Sequence, residues 1–534
     1  MPAVVTDQFR IANASNFVDS VLDSNNSYYV FLGLPNPLGI GNTVGFGRTS
    51  TWNDADGTPD PVDNLEYLTH YRSTSMFGKK INSSNIRRVV KKNSWAANIR
   101  YDMYRHDYSA SNKAPNSQTG TLYRSNYYVI TSEFKVYICL DNGASAANNN
   151  LGEQSKDEPT FTDLEPAAAG VNDNYTWKYL YTVSPSDVIK FDSTEYIVLP
   201  NNWSTSTDAQ IQAVREAGNS DINKNQIKKV VIKNGGAGYA NGGTNSRLVN
   251  ILGDGDGAEA RVSYTSGVIT DVIVTKGGSG YTFAMVDLSS IPFNSDTGTR
   301  ANLIPIIPPS KGHGFDIYTE LGADKVLVYS RFDDSTKDFP TDTHFAQVGI
   351  IKNPNKFDVS GIMTASQFSS LSAIKLSSPI TTVSDLSTLI GAGIAQTVTG
   401  GTARATVASY DPDTFVLKYF QDRSLNFNQS SSDTTDYPNM NSRAKVLSFE
   451  STDSSEKTIT GSGSASFTSS IDAGFTGITT TVGNKQVNLG IEFTKGLANS
   501  EINKKTGDVI YIDNRKEVER NIRQKEDVKI ILEF

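Results

Sequence analysis

The residues that could do chemistry fall into a few short clusters. Asp54-Ala55-Asp56-Gly57-Thr58-Pro59-Asp60 opens like a calcium loop, with carboxylates spaced to offer hard oxygen ligands. The closing bidentate glutamate is missing, because Glu66 falls outside the loop register, so a turn-rich surface loop is expected. Asp254-Gly255-Asp256-Gly257 reads the same way, since Asp and Gly are what a tight turn needs. Glycine runs at Gly235 to Gly238, Gly253 to Gly257 and Gly277 to Gly280 suggest phosphate cradles. None is followed by Lys-Ser/Thr, or by a helix whose N-terminus could receive an anion, so that chemistry is not expected.

Nucleophiles and metal ligands fare no better. Cys139 stands alone in the apolar run Phe134 to Leu140, where a buried, inert thiol is expected and no internal disulfide can form. His70, His106, His313 and His344 lie far apart, without a short metal spacing. No Gly-x-Ser-x-Gly elbow occurs, and no pair of acids stands out as a glycosidase pair. No catalytic, cofactor-binding or metal residue is therefore assigned, and the chain is not expected to be an enzyme.

The basic stretch Lys79 to Asp107 carries Lys79, Lys80, Arg87, Arg88, Lys91, Lys92, Arg100 and Arg105, interleaved with Trp95, Tyr101 and Tyr104. Nucleic-acid binding uses this pattern. The formal net charge of -8 argues against it, and a charged face meeting an acidic partner subunit is the preferred reading.

The elements that must position these residues are mostly strands. Among 534 residues the hydrophobic share is 37%, yet there are 24 Tyr and 24 Phe, a balance that suits β-rich structure with many turns. The length calls for more than one domain. Thr6 to Leu22 is the best helix, with Phe9, Ala12, Phe17, Val18, Val21 and Leu22 on one face. A second helix is expected at Thr207 to Ala217, starting from a Thr-Asp cap. Strands read at Tyr127 to Thr131, Tyr175 to Tyr181, Glu195 to Leu199, Lys325 to Ser330, Ala346 to Ile351 and Val528 to Phe534, the last tied into a sheet. Tyr175, Trp177, Tyr179 and Tyr181 should form a core face. No signal peptide and no membrane span is expected, so the chain should be made in the cytoplasm.

Two regions differ in texture. Lys229-Val230-Val231-Ile232-Lys233-Asn234-Gly235-Gly236-Ala237-Gly238-Tyr239 recurs, imperfectly, as Asp271 to Tyr281, each copy a strand followed by a Gly-Gly-x-Gly-Tyr corner that the tyrosine can cover. From about Phe357 to Gln486 the chain is rich in Ser, Thr and Gly. It has polar stretches at Asn428 to Asp436 and Gly461 to Ser470, and a hairpin from Ala403 to Phe420 turning at Asp411-Pro412-Asp413.

Several segments, in order along the chain, resemble the baseplate wedge subunit (gene product eight type) of T-even-like contractile-tailed bacteriophages. They are Thr6 to Phe17; Gly45 to Trp52, with Phe46, Gly47, Arg48 and Trp52; Trp95 with Arg100-Tyr101; and Tyr137 to Asp141. Tyr175 to Tyr181 follows, with Trp177 and Tyr179, leading to Thr194 to Pro200 with Tyr196 and Pro200. Val348 to Pro354, with Asn353 and Pro354, and Gly507 to Phe534, with Tyr511, Asn514 and Arg515, complete the set.

The resemblance implies a β-sandwich core with a few helices, a homodimer within each of six wedges, contacts to other wedge proteins, and movement as the baseplate rearranges on infection. It implies a place in the virion tail and no catalytic residues. The expected layout is core at 1–205, 310–356 and 489–534, with β-rich insertions at 206–309 and 357–488 that have no counterpart in the resemblance. Two rival readings are a tail protein that binds host-surface glycan through tyrosines of the Gly-Gly-x-Gly-Tyr region, and a depolymerase using acidic residues buried in the second insertion.

Overall fold

A computed structural model describes residues 5–33, 61, 63–171, 174–224, 226–239, 244–294, 296–333, 344–357, 359–399, 401–421, 447–451, 457–461, 465–520 and 524–534. Among the described residues strands take 44% and helices 13%, so the fold is mainly β, in several antiparallel sheets. It divides into two compact units, one of Met1–Val18, Ile86–Leu327 and Ile530–Phe534, the other of Asp19–Asn85 and Val328–Lys529.

The first unit is organised by a three-stranded sheet of Tyr128–Ile130, Lys135–Asn142 and Tyr175–Thr182. The expected aromatic face is core: Tyr175, Trp177, Tyr179 and Tyr181 are all buried. Two register shifts, at Val136/Tyr137 and Cys139/Asp141, interrupt the ladder between the longer strands. Such bulges bend a strand, and Lys178 and Leu180 are buried as well, so both faces of this strand are covered. Lys178 remains satisfied because its ammonium donates to the Leu164 carbonyl at 2.8 Å. The strand Glu526–Glu533 lies beside Lys325–Phe332. Its end is held by Phe534 N–H donating to Asp324 O at 3.1 Å and by the Phe17–Phe534 ring contact at 5.5 Å.

The tandem repeat has its own core, containing Ile227, Val230, Ile232, Tyr239, Ile269, Val272 and Tyr281. The two corners share several contacts. Gly236 and Gly278 hold φ of 68° and 60°, and a β-carbon on either would lie 2.5 Å from a carbonyl oxygen, that of Thr299 or Asp256. Ile269 N–H donates to Gly235 O, and Ile227 N–H donates to Gly277 O, both at 3.0 Å. The Tyr239 hydroxyl accepts from Ala301 N–H at 2.8 Å, and the Tyr281 hydroxyl accepts from Ala258 N–H at 3.2 Å. Each corner is thus completed by the other repeat's segment, a reciprocal exchange that makes neither repeat a unit by itself.

The second unit contains a five-stranded sheet in the order Gln367–Ser369, Ser75–Lys80, Tyr28–Gly33, His344–Lys352, Asp508–Glu519. One rung runs Phe368, Gly78, Phe31, Gly349, Ile512. Rings and glycines alternate: a β-carbon on Gly78 would meet the Phe368 ring at 2.4 Å, and one on Gly349 the Phe31 ring at 2.5 Å. The Ser/Thr-rich region builds a seven-stranded sheet around a separate core that includes Ile374, Leu389, Ala405, Leu417 and Ile471. The expected hairpin is there, as Gly401–Asp411 paired with Val416–Phe420. A further hairpin, Gly477–Val482 with Lys485–Phe493, forms a two-stranded sheet. Its base is packed through Leu489, Ile491 and Phe493 against Ala373, Val416 and Ala498.

The helices required corrections. The N-terminal helix spans Asp7–Leu22, but its buried stripe is Ile11, Ala14, Val18 and Val21. Phe9 and Leu22 are exposed, Ala12 is too, and Phe17 is half-buried. Spacings of three and four residues admit two neighbouring stripes, and packing selects the one with smaller side chains. The second helix starts where expected, with Asp208 accepting from the N–H groups of Gln210 and Ile211, and continues to Lys224. Leu65–Thr74, Pro185–Phe191 and Ile317–Leu321 are helices that the strand-like texture hid. Pro185–Phe191 carries a readable signal, a Ser184 cap followed by proline at the first helical position.

Candidate functional site

The densest group of functional side chains lies in the first unit around the three-stranded sheet. Tyr175 and Trp177 are stacked at 5.3 Å with an interplanar angle of 11°. Tyr101 meets Trp177 edge-on at 5.8 Å, and Tyr137 meets Tyr179 at 5.7 Å. Aromatic pairs of this geometry add about 0.5–1.5 kcal/mol each beyond the area they bury.

Each hydroxyl then pins a neighbouring segment. Tyr175 donates to Glu153 O at 2.7 Å and accepts from Tyr101 N–H at 2.9 Å. Tyr127 donates to Glu320 O at 2.6 Å, Tyr128 to Lys91 O at 2.8 Å, and Tyr181 to Val198 O at 2.9 Å. Burial pushes the phenols of Tyr104, Tyr127, Tyr137 and Tyr181 above their ordinary value, because the interior disfavours the phenolate. Near neutral pH these groups stay protonated and hold loops; they are poorly placed to move protons.

Buried charges serve the same end. Asp102 accepts from the N–H groups of Asn116, Ser117 and Asn126, at 2.9, 3.1 and 3.4 Å, gathering one loop. His313 Nδ1 lies 2.5 Å from Glu320 Oε1, and Glu320 Oε2 accepts from Gly314 N–H at 2.7 Å. His106 Nδ1 accepts from Ile307 N–H at 3.1 Å, and burial lowers its pKa. Among the described residues no group of His, Cys, Asp and Glu is arranged to hold a metal ion.

The basic stretch is not a continuous cationic face. Lys79 pairs with Asp333 at 3.2 Å, Arg87 with Asp187 at 2.7 Å, Lys92 with Asp192 at 3.4 Å, and Arg105 with Asp107 at 2.8 and 2.7 Å. Arg88 is buried, 4.3 Å above the Tyr318 ring. Lys91 and Arg100 remain exposed. Three of these acids lie far along the chain, so the compensation was invisible in a local reading. Four of these cations are thus tied to acids within the chain. Tyr239 and Tyr281, the tyrosines of the two Gly-Gly-x-Gly-Tyr corners, are both buried.

The residues that carry the resemblance occupy architectural positions. Trp95 donates from its indole to Ser155 Oγ at 3.1 Å, and Cys139 is buried opposite Trp177. Tyr196 pairs with Lys91, and Pro200 O accepts from the Tyr318 hydroxyl. In the second unit Asn353, at φ 51°, accepts from Ser27 N–H at 2.7 Å and donates to Asn26 Oδ1 at 3.0 Å. Asn is among the residues that tolerate that conformation. Pro354 O accepts from Met363 N–H at 2.7 Å.

Tyr511 lies opposite Ile350, and buried Asn514 accepts from Gln347 Nε2 at 3.1 Å, while Arg515 pairs with Asp513 at 2.8 Å. The Gln347–Asn514 bond, with Thr74 donating to Gln347 Oε1 at 3.4 Å, forms a buried polar network in which Asn514 was expected and Gln347 and Thr74 were not. Its signal was weak: one Gln inside an apolar strand. Phe46, Gly47, Arg48 and Trp52, and the Asp54 to Asp60 loop, lie outside the described residues, as does Asn428 to Asp436. Asp254 behaves as a turn residue, accepting from Thr282 and Phe283 N–H at 2.9 and 3.0 Å.

No protein-family model matches the chain, and no curated protein sequence matches it. The resemblance to baseplate wedge subunits therefore rests on the short segments themselves.

Proposed function

We propose that this chain is a structural subunit of a contractile phage tail baseplate, of the wedge type, which associates with itself and with neighbouring wedge proteins. One observation supports the reading above the rest. Segments that resemble the wedge family, far apart in sequence, meet in space as structural ties. Tyr101, Cys139, Tyr175 and Trp177 converge on one sheet of the first unit. Val348 to Pro354 and Gly507 to Arg515 lie on adjacent strands in the second, paired from Lys352↔Asp508 to Gln347↔Asn514 with one register shift between Ile350 and Ile351. Residues that are distinctive for their part in holding strands together suit a protein whose work is to be a rigid element between neighbours. Hydroxyls and charges spent on internal carbonyls, amides and counter-ions fit the same work.

Reconstruction of assembled contractile tails that carry this chain tests the reading. Its density is expected in the baseplate ring, in contact with neighbouring wedge proteins. Density along the tube or on a fibre, or none in the tail, would overturn the proposal.

A further inference from the structure

Exposed strand edges offer unpaired N–H and C=O groups to other chains, and natural proteins guard them with charges, proline or short length. Among the described edge strands of six residues or more, four carry such charges, Asp508–Glu519, Glu526–Glu533, Val268–Ser279 and Lys485–Phe493, while Tyr175–Thr182 is met on its free side by an antiparallel bridge from Ala167 to Trp177. Gly477–Val482, reading Gly-Ile-Thr-Thr-Thr-Val, has neither a charge nor a proline. Within the described residues no strand lies on its outer side.

The hairpin that presents this edge stands away from its base. Val482 pairs with Lys485 across Gly483-Asn484, and Gly483 has the positive φ of 59° that a two-residue hairpin turn favours. Gly477 and Gly490, at φ 126° and 76°, mark the junction with the packed base, and a β-carbon on Gly477 would meet nothing within 4 Å. Ile478 is 43% exposed. A two-stranded hairpin with unpacked faces is marginal in water, so added strands would stabilise it.

We propose that Gly477–Val482 pairs with the same strand of a second copy of this chain, antiparallel about a twofold axis at Thr480. The choice of occupant follows from charge and symmetry. An edge strand meeting itself sets every residue against its mirror position: Thr480 against Thr480, Thr479 against Thr481, Ile478 against Val482. All are β-branched, and none brings like charges together, which would be destabilising across a ladder. The opposite edge of the same hairpin, Lys485–Phe493, contains Lys485 and Glu492 and is the less suitable face for self-pairing. A closed, isologous contact of this kind yields a dimer and then stops. The inference rests on the self-association within the proposed function and gives it a location.

The test is light scattering on the full chain and on two variants, Thr480→Lys and Thr480→Glu. The wild type is expected at twice the chain mass. Each variant alone should dissociate with a Kd raised at least tenfold, about 1.4 kcal/mol, because like charges then meet on the axis. An equal mixture of the two variants should dimerise again, which also shows that both are folded. A Thr480→Cys variant should form a disulfide-linked dimer on oxidation, since the native thiol, Cys139, is buried. If both charged variants dimerise as the wild type does, this edge is not the contact, although self-association stands. If the wild type is a monomer at tens of micromolar, the edge and the dimer both fall. Membership of the baseplate would still be judged by the tail reconstruction.

Discussion

The sheet around Trp177 in the first unit and the sheet around Gly349 in the second both bury many rings, by opposite means. In the first, tyrosines and a tryptophan stack on one another, and hydroxyls at the ring ends tie down loops. In the second, phenylalanines lie over glycines across a single rung, so the backbone itself makes room. The tyrosine solution fixes several segments at once, because each ring has a polar end that must be satisfied when buried. The glycine solution lets a ring lie flat over the neighbouring strand and leaves no polar group to satisfy. One sheet should therefore be sensitive to lost volume and lost hydroxyls, and the other to added volume.

Trp177→Ala breaks the first arrangement most severely. It empties a fully buried site beneath Tyr101 and Tyr175 and should cost about 3–5 kcal/mol in denaturant unfolding of the first unit. A loss below 1 kcal/mol would show that the stack is not a packing centre. Gly78→Ala attacks the second arrangement by adding volume. The new methyl would strike the Phe368 ring, and the expected cost is about 1–3 kcal/mol. Pairing it with Phe368→Leu should recover part of that cost, as a double-mutant cycle would report. Additive losses would mean that ring and glycine are not coupled. The smallest effect is expected for Tyr175→Phe, which keeps the ring and removes only the hydroxyl between Tyr101 N–H and Glu153 O. About 1–2 kcal/mol should be lost, with faster hydrogen exchange at the Tyr101 amide as the specific sign. Unchanged exchange there would separate the ring's role from the hydroxyl's.

Patterns with a short period were legible along the chain. The alternation from Tyr175 to Tyr181, the Asp208 cap, the hairpin around Asp411 and the two Gly-Gly-x-Gly-Tyr corners could all be read, because each depends on residues within a few positions. Of the buried stripe of Asp7–Leu22, Val18 and Val21 could be read but Ile11 and Ala14 could not, since spacing allowed two stripes and only packing separates them. The ion partners of the basic stretch could not be read for a related reason: Asp333, Asp187 and Asp192 are remote in sequence from Lys79, Arg87 and Lys92.

Composition and local periodicity by themselves determined that this chain is mainly β, aromatic-rich and punctuated by glycine corners. Backbone sterics and side-chain alternation act over a few residues, and a sequence displays them openly. Tertiary structure alone decided that each repeat completes the other's corner, that Phe31 lies over Gly349, and that Asn514 meets Gln347. Those outcomes depend on which distant segments become neighbours, and contact between them is fixed by shape and by the need to satisfy buried polar groups.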